Sequence, residues 1–441
     1  MKRLLTLFWP GLFLFFSIPY ASFAVTDGSI QLNKDLRGPI TLQRALSLAL
    51  LQNPELDAFS LEQRAREARA LQSGLFPNPQ LEFLVEDVAG SGNFNGFSQS
   101  QTTIQLSQLV ELGGKRAARL RANNLWWRLA AWDYETKRMN VLTQVSKAYV
   151  DVLKAQQQIS LAEDLVRLGE QFLNAVAERV KAGKVPSLER TKAEVSLSFV
   201  RIQLEKAKRE LKVARRNLSA TWGRTQPQFE FASGDLFTIS TILPLEQLMS
   251  RLANNPDLER WSAELEHRQA ILDSELSKKI PDLKVIGGFR RLEDTNDNAL
   301  IFGISIPLQF FNRNQGGIDE ARHKLAKANA EKRATEIKVT KILLGAYNTV
   351  DFTRSQVISI KTKIIPGAQK AFDGVSEGYR FGKFGYLDVL DSQKTLFEAK
   401  GQYLDALADY HKAVADVERL IGEPLAPVNQ PLAKPEGEYR P

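Results

Sequence analysis

Two periodicities divide the chain. From Lys115 to Ala182 there is no proline, and leucine, valine and alanine recur at helical spacing between Lys, Arg, Glu and Gln. At 1.5 Å rise per residue, about 68 such residues predict a rod of roughly 100 Å, a length that requires a coiled bundle. Helices of roughly 50 Å are predicted from Thr41 to about Ser73 and from Ser187 to about Trp222, so two laid end to end match the long one. Between the first helix and the rod the period changes to two. Leu81, Phe83 and Val85 alternate with Glu82 and Glu86, and Ile104 and Leu106 alternate with Thr103, Gln105 and Ser107, across a Gly/Asn/Ser-rich loop at Ala89 to Gln101. Alternation over about 10 residues is the mark of a membrane strand with an apolar lipid face and a polar lumen face. A hairpin packed on the helices in water fits the same alternation.

The whole pattern then returns. Asn53-Pro54-Glu55-Leu56 is matched by Asn255-Pro256-Asp257-Leu258 and Pro79-Gln80-Leu81 by Pro281-Asp282-Leu283, both 202 residues on. Ala148-Tyr149 matches Ala346-Tyr347 and Ala182-Gly183-Lys184 matches Phe381-Gly382-Lys383, at spacings of 198 and 199, a loss assigned to one loop. The chain therefore reads as two tandem units of helix, hairpin, long helix and helix. Repeat 1 covers 41–240, with its hairpin at 79–112, long helix at 115–182 and last helix at 187–222. Repeat 2 covers 244–422, with a helix from about Pro244 to Lys279, hairpin at 281–311, long helix at 317–380 and last helix at 387–421. Its strands carry Leu283, Val285 and Phe289, then Leu300, Phe302, Ile304 and Ile306. Pro366-Gly367 removes a backbone hydrogen bond and predicts a kink in the second long helix alone. Four strands cannot close a barrel and open edges cannot sit in lipid, so membrane-spanning hairpins imply several pooled chains.

The ends and the composition narrow the setting. Met1-Lys2-Arg3, an apolar run from Leu4 to Ile18 and Ser22-Phe23-Ala24 predict a signal peptide over 1–24, too short to span a bilayer. Residues 25–40 are expected to be an N-terminal extension and 423–441 a Pro-rich disordered tail. No other segment is apolar enough for a spanning helix. There is no cysteine, hence no disulfide framework and no acylated N-terminal Cys. The formal charge of +8 does not point to nucleic acid in an exported chain, and Lys206, Lys208, Arg209, Lys212, Arg215 and Arg216 are expected to be a solvated helix face.

Motifs for catalysis are lacking. Gly113-Gly114-Lys115 has neither the first glycine nor the hydroxyl residue of a phosphate loop, and Gly90-Ser91-Gly92 is no nucleophile elbow. His267, His323 and His411 lie far apart, so no metal site and no cofactor are expected, and each is read as a surface helix residue. Trp126, Trp127 and Trp132 are expected to pack helix grooves rather than belt a membrane.

In its duplicated layout from Thr41 to Gly422 the sequence resembles the TolC family of outer-membrane efflux proteins. Pro77-Asn78-Pro79-Gln80-Leu81-Glu82 leading to Glu111-Leu112-Gly113-Gly114-Lys115-Arg116, and Tyr379 through Asp391, resemble the CzcC-like heavy-metal efflux subgroup. The resemblance implies a mainly α fold with a small β part: long coiled helices forming a periplasmic α-barrel, and β-hairpins contributed to a trimeric barrel in the outer membrane of a Gram-negative bacterium. It implies an exit duct of a tripartite efflux system, not an enzyme, working with a periplasmic adaptor and an inner-membrane pump of the resistance-nodulation-division type. Divalent metal cations lead as substrate, with drug efflux and type I secretion as alternatives; from a different class, a soluble periplasmic coiled-coil scaffold also fits the helices.

Candidate site residues follow from the turns. Gly183, Lys184, Gly382, Lys383 and Gly385 permit tight turns and are expected to form the tips where an adaptor docks. Asp388 and Asp391 share one helix face. By the resemblance they ring a closed pore aperture with Tyr379 helping to latch it; acidic residues stabilising a helix N-terminus need no pore. Phe384 replaces the family's latching arginine, so Lys383 or Arg380 is expected to serve instead.

Overall fold

The computed structural model describes residues 38–425, so the predicted signal peptide, most of the extension and the tail beyond 425 lie outside the described residues. Repeat 1 comprises α1 (Leu42–Gln52), α2 (Pro54–Ser73), β1 (Gln80–Glu86), β2 (Gln101–Val110), α3 (Lys115–Lys181) and α4 (Ser187–Ala220). Repeat 2 comprises α5 (Leu245–Arg251), α6 (Pro256–Ser277), β3 (Leu283–Leu292), β4 (Asp297–Ser305), α7 (Gln315–Ser359), α8 (Ile365–Arg380) and α9 (Tyr386–Ile421). The order of elements follows the duplicated pattern. Helix α3 runs unbroken for 67 residues, about 100 Å at helical rise.

The short first helix of each repeat is not continuous, which corrects the expected spans. Pro54 forces its predecessor out of the helical region, and Asn53 sits extended at φ −72°, ψ 120°. Asn255 before Pro256 repeats this at φ −71°, ψ 122°. Each asparagine side chain then makes three hydrogen bonds to two helix ends. The Asn53 Oδ1 accepts from the N–H groups of Glu55 and Leu56 at 2.8 and 3.0 Å, while its Nδ2 donates to the Thr221 carbonyl at 2.7 Å. Asn255 does the same for Asp257 and Leu258 and donates to the Leu420 carbonyl at 2.6 Å. One side chain thereby caps a new helix and fastens it to the end of its repeat.

Repeat 2 breaks its rod where proline predicts. A π-helical turn at Ile360–Ile364 separates α7 from α8, which carries Pro366 in its first turn. Proline cannot donate to the carbonyl one turn back, and the wider turn relieves the clash of its ring.

The four strands form one antiparallel sheet in the order β1-β2-β3-β4, the hairpins joined through β2 and β3. Register lines up Phe83, Ile104, Phe289 and Leu300 in one row across all four strands. That face is exposed and apolar, with Phe302 at 83 %. The opposite face carries Glu82, Gln105, Thr103 and Arg290; the Arg290 Nε donates to the Thr103 hydroxyl at 3.0 Å. The outer strands β1 and β4 each have a partner on one side only.

The main core lies where the rods cross the inter-repeat connector. Leu48, Val145, Val152, Leu343, Val350 and Leu407 pack with Phe229 and Leu236 of the connector. The Tyr149 hydroxyl reaches the carbonyls of Ile40 and Ser233, and that of Tyr410 donates to the Ser240 carbonyl at 2.9 Å. His411 corrects the surface reading. Its Nε2 lies 2.9 Å from the Leu236 carbonyl oxygen, and burial holds its pKa below the usual histidine value. His267 is also largely enclosed and shifted down by burial, whereas His323 is exposed. Of the basic run on α4, Arg215 departs from the solvated face: its guanidinium packs over the Phe229 ring at 5.3 Å. Trp126 lies beneath Arg66, 4.6 Å from the ring centre.

Candidate functional site at the helical tip

The α3–α4 and α8–α9 turns are built alike. The Gly183 N–H donates to the Val180 carbonyl and the Lys184 N–H to that of Arg179; Gly382 and Lys383 repeat this to Tyr379 and Gly378, at 3.0 and 2.8 Å. Both glycines have left-handed backbone, φ +67° and +77°, a conformation costly for residues with a Cβ. Neither has anything within 4 Å of where a Cβ would stand, so the constraint is backbone shape alone. Gly385 has ordinary extended backbone and needs no glycine for its φ of −83°.

Each following helix carries an acid at its third position, Glu189 in α4 and Asp388 in α9. The Asp388 Oδ2 accepts from the Gly385 N–H at 2.8 Å, closing the return half of a capping box. Glu189 has no such partner, because the N-cap of its helix is Pro186 and proline has no N–H. It turns instead to the other repeat, accepting from the Tyr379 hydroxyl at 3.3 Å. Asp388 and Asp391 are exposed on α9.

Tyr379 is 3 % exposed and packs with Val176, Ala193, Tyr386 and Val389 between the α3–α4 and α8–α9 helix pairs. The Arg179 guanidinium lies 4.3 Å from its ring centre and donates to its backbone carbonyl. Burial, helped by Glu189, raises the Tyr379 pKa, and burial first of all pushes Tyr386 up to about 12. Both phenols are neutral at physiological pH, and that of Tyr379 donates. Tyr379 therefore joins the two repeats through Glu189 and Arg179. Within the chain the cation on Tyr379 is Arg179, from repeat 1, while Arg380 and Lys383 are exposed beside the turn. Phe384 has another task, covering Gly378 so closely that a Cβ there would lie 2.3 Å from its ring. Arg179 and Glu189 were missed because nothing local marks a partner about 200 residues away; the shared third-position acid was the available signal.

Among the described residues no group of three His, Asp or Glu side chains could hold a metal ion, and no helix is long and apolar enough to cross a membrane. An exposed apolar sheet face above a long helical rod defines the class: an outer-membrane channel protein whose strands meet lipid. Residues 45–224 and 248–423 match the family model described as Outer membrane efflux protein, one stretch for each repeat, and the chain belongs to that family. It is similar to the cobalt-zinc-cadmium resistance protein CzcC of Cupriavidus metallidurans, 37% identical over 85% of this chain and 88% of that one. The nickel-cobalt-cadmium resistance protein NccC of Alcaligenes xylosoxydans xylosoxydans is 27% identical over 71% of this chain and 70% of its own. A crystal structure of CusC superposes with a TM-score of 0.73 at 18% identity, covering 87% of this chain and 92% of CusC. The protein is an efflux channel component of the outer membrane, not an enzyme, and the soluble scaffold reading falls.

Proposed function

We propose that the chain is the outer-membrane exit duct of a tripartite efflux system for divalent heavy-metal cations. The observation that carries this reading is the 37% identity, over nearly the full length of both chains, to a protein named for cobalt, zinc and cadmium resistance. The duct assembles as a homotrimer. Unpaired edges at β1 and β4 support this, since lipid offers no partner for their backbone groups and a closed ring of twelve strands from three copies leaves no edge. A periplasmic adaptor docks on the tips at Gly183–Lys184 and Gly382–Gly385 and links the duct to an inner-membrane proton-driven pump. Asp388 and Asp391, repeated threefold, surround the periplasmic aperture and favour cations. Metal passes through as cargo.

Sensitivity of a deletion strain decides the substrate class. Loss of the gene should sensitise cells to cobalt, zinc or cadmium, with resistance restored by the intact gene. Sensitivity to drugs alone, or loss of a secreted protein with metal resistance intact, overturns the metal reading.

A further inference from the structure

We propose that the base of the second hairpin binds the phosphate of an anionic phospholipid in the periplasm-facing leaflet. From Leu300 on, the even-numbered residues of β4 and the segment after it, Leu300, Phe302, Ile304, Ile306, Leu308 and Phe310, are all exposed. Their apolar row ends at an open recess of about 540 Å³, where Phe310 and Phe311 meet Lys279, Arg313 and Arg322. Phe311 is 92 % exposed, which in water leaves a phenyl ring unsheltered.

Chemistry and position agree on the occupant. The recess lies where the strands give way to helices, the level at which a bilayer changes from acyl chains to headgroups. Apolar rings there can lie against the acyl chains, as on the apolar face of an interfacial helix, while cations attract anionic lipid. Asp319 pairs with Arg322 at 3.0 Å, while the side chains of Lys279 and Arg313 enter no ion pair among the described residues. Two positive charges thus remain for a phosphodiester, with two phenyl rings beside the acyl chains. The first hairpin repeats the chemistry at its own base, where the Arg116 guanidinium stacks 3.8 Å from the centre of the exposed Phe76 ring. The inference rests on the apolar sheet face meeting lipid and is independent of what the duct transports.

The test is lipid retention by the purified protein in detergent, read by native mass spectrometry with phosphatidylglycerol or phosphatidylcholine of identical chains. The wild type should retain phosphatidylglycerol preferentially. Lys279→Gln with Arg313→Gln should weaken that binding by about fivefold for each charge removed. Lys206→Gln with Lys208→Gln, on α4, should leave it unchanged. Equal retention of both lipids by the wild type overturns the proposal without any variant. So does an undiminished preference in the recess variant, or an equal loss in the α4 control, which would reflect overall charge alone.

Discussion

The Glu189 carboxylate and the Tyr379 hydroxyl meet at 3.3 Å across the seam between the repeats, although 190 residues separate them. A hydrogen bond to a charged group contributes about 1.5–3 kcal/mol, with a long one at the lower end. If this contact restrains the tip, Tyr379→Phe should raise open-channel occupancy in planar bilayers several-fold while the assembled protein stays folded. Arg179→Ala should act in the same direction. Unaltered conductance in both variants would reduce the contact to simple packing.

The two aspartates beside the tip have separable roles. Asp388→Asn keeps an oxygen acceptor for the Gly385 N–H, so Asp388→Asn with Asp391→Asn should cost less than about 1 kcal/mol of stability. Removing the carboxylates should abolish cation preference and divalent-cation block in single-channel recordings. Wild-type selectivity in the double variant would leave Asp388 as a helix cap and nothing more.

Gly183 and Gly382 hold left-handed backbone with open space around them. Valine at either position is strained at φ > 0, so the turn should distort without a clash in the core. Cross-linking to the adaptor and efflux should be lost while the protein remains in the outer membrane. Disappearance of the protein from that membrane would instead assign these glycines to folding.

Acid should loosen the connector through His411. Its folded pKa lies below the unfolded value because burial disfavours the charged ring. The folded state therefore resists protonation, and stability present above about pH 6.5 is lost as pH falls through the folded pKa. Glu418, whose pKa burial raises, acts in the opposite sense. Thermal unfolding followed from pH 7.5 down to 5.5 should show a shallower decline for His411→Asn than for the wild type. Parallel curves would exclude His411 as a contributor.

Periodicity exposed most of the architecture because the relevant faces are long. Phe83, Ile104, Phe289 and Leu300 announce a one-sided sheet through alternation alone, and the paired Asn-Pro sequences mark corresponding positions of the two repeats, although the predicted helices run through the break at each. What stayed hidden depends on neighbours distant in sequence. Nothing near His411 indicates that the Leu236 carbonyl will cover it, since the connector has no regular period. Tyr379 carries no sign of Arg179 or Glu189. The resemblance placed Tyr379 at the tip but named neither the Arg179 guanidinium nor the Glu189 carboxylate that touch it.

The π turn at Ile360–Ile364 also records an event in the history of the duplication. Above it, Val152 and Val350 are matching buried positions 198 residues apart; below it, Leu173 and Phe372, like Val180 and Tyr379, are 199 apart. The second rod has therefore gained one residue inside a helix, and the earlier assignment of all the spacing change to a loop is incomplete. One extra residue in an unbroken α-helix rotates everything beyond it by about 100°. Phe372 and Tyr379 would swing away from the first repeat. A turn closed by i→i+5 bonds takes in the added residue as a local bulge, so the tip keeps its phase with the rod above. Removing Lys361, Thr362 or Lys363 would bring the spacing below the turn back to that above it, but would leave the clash of the Pro366 ring unrelieved.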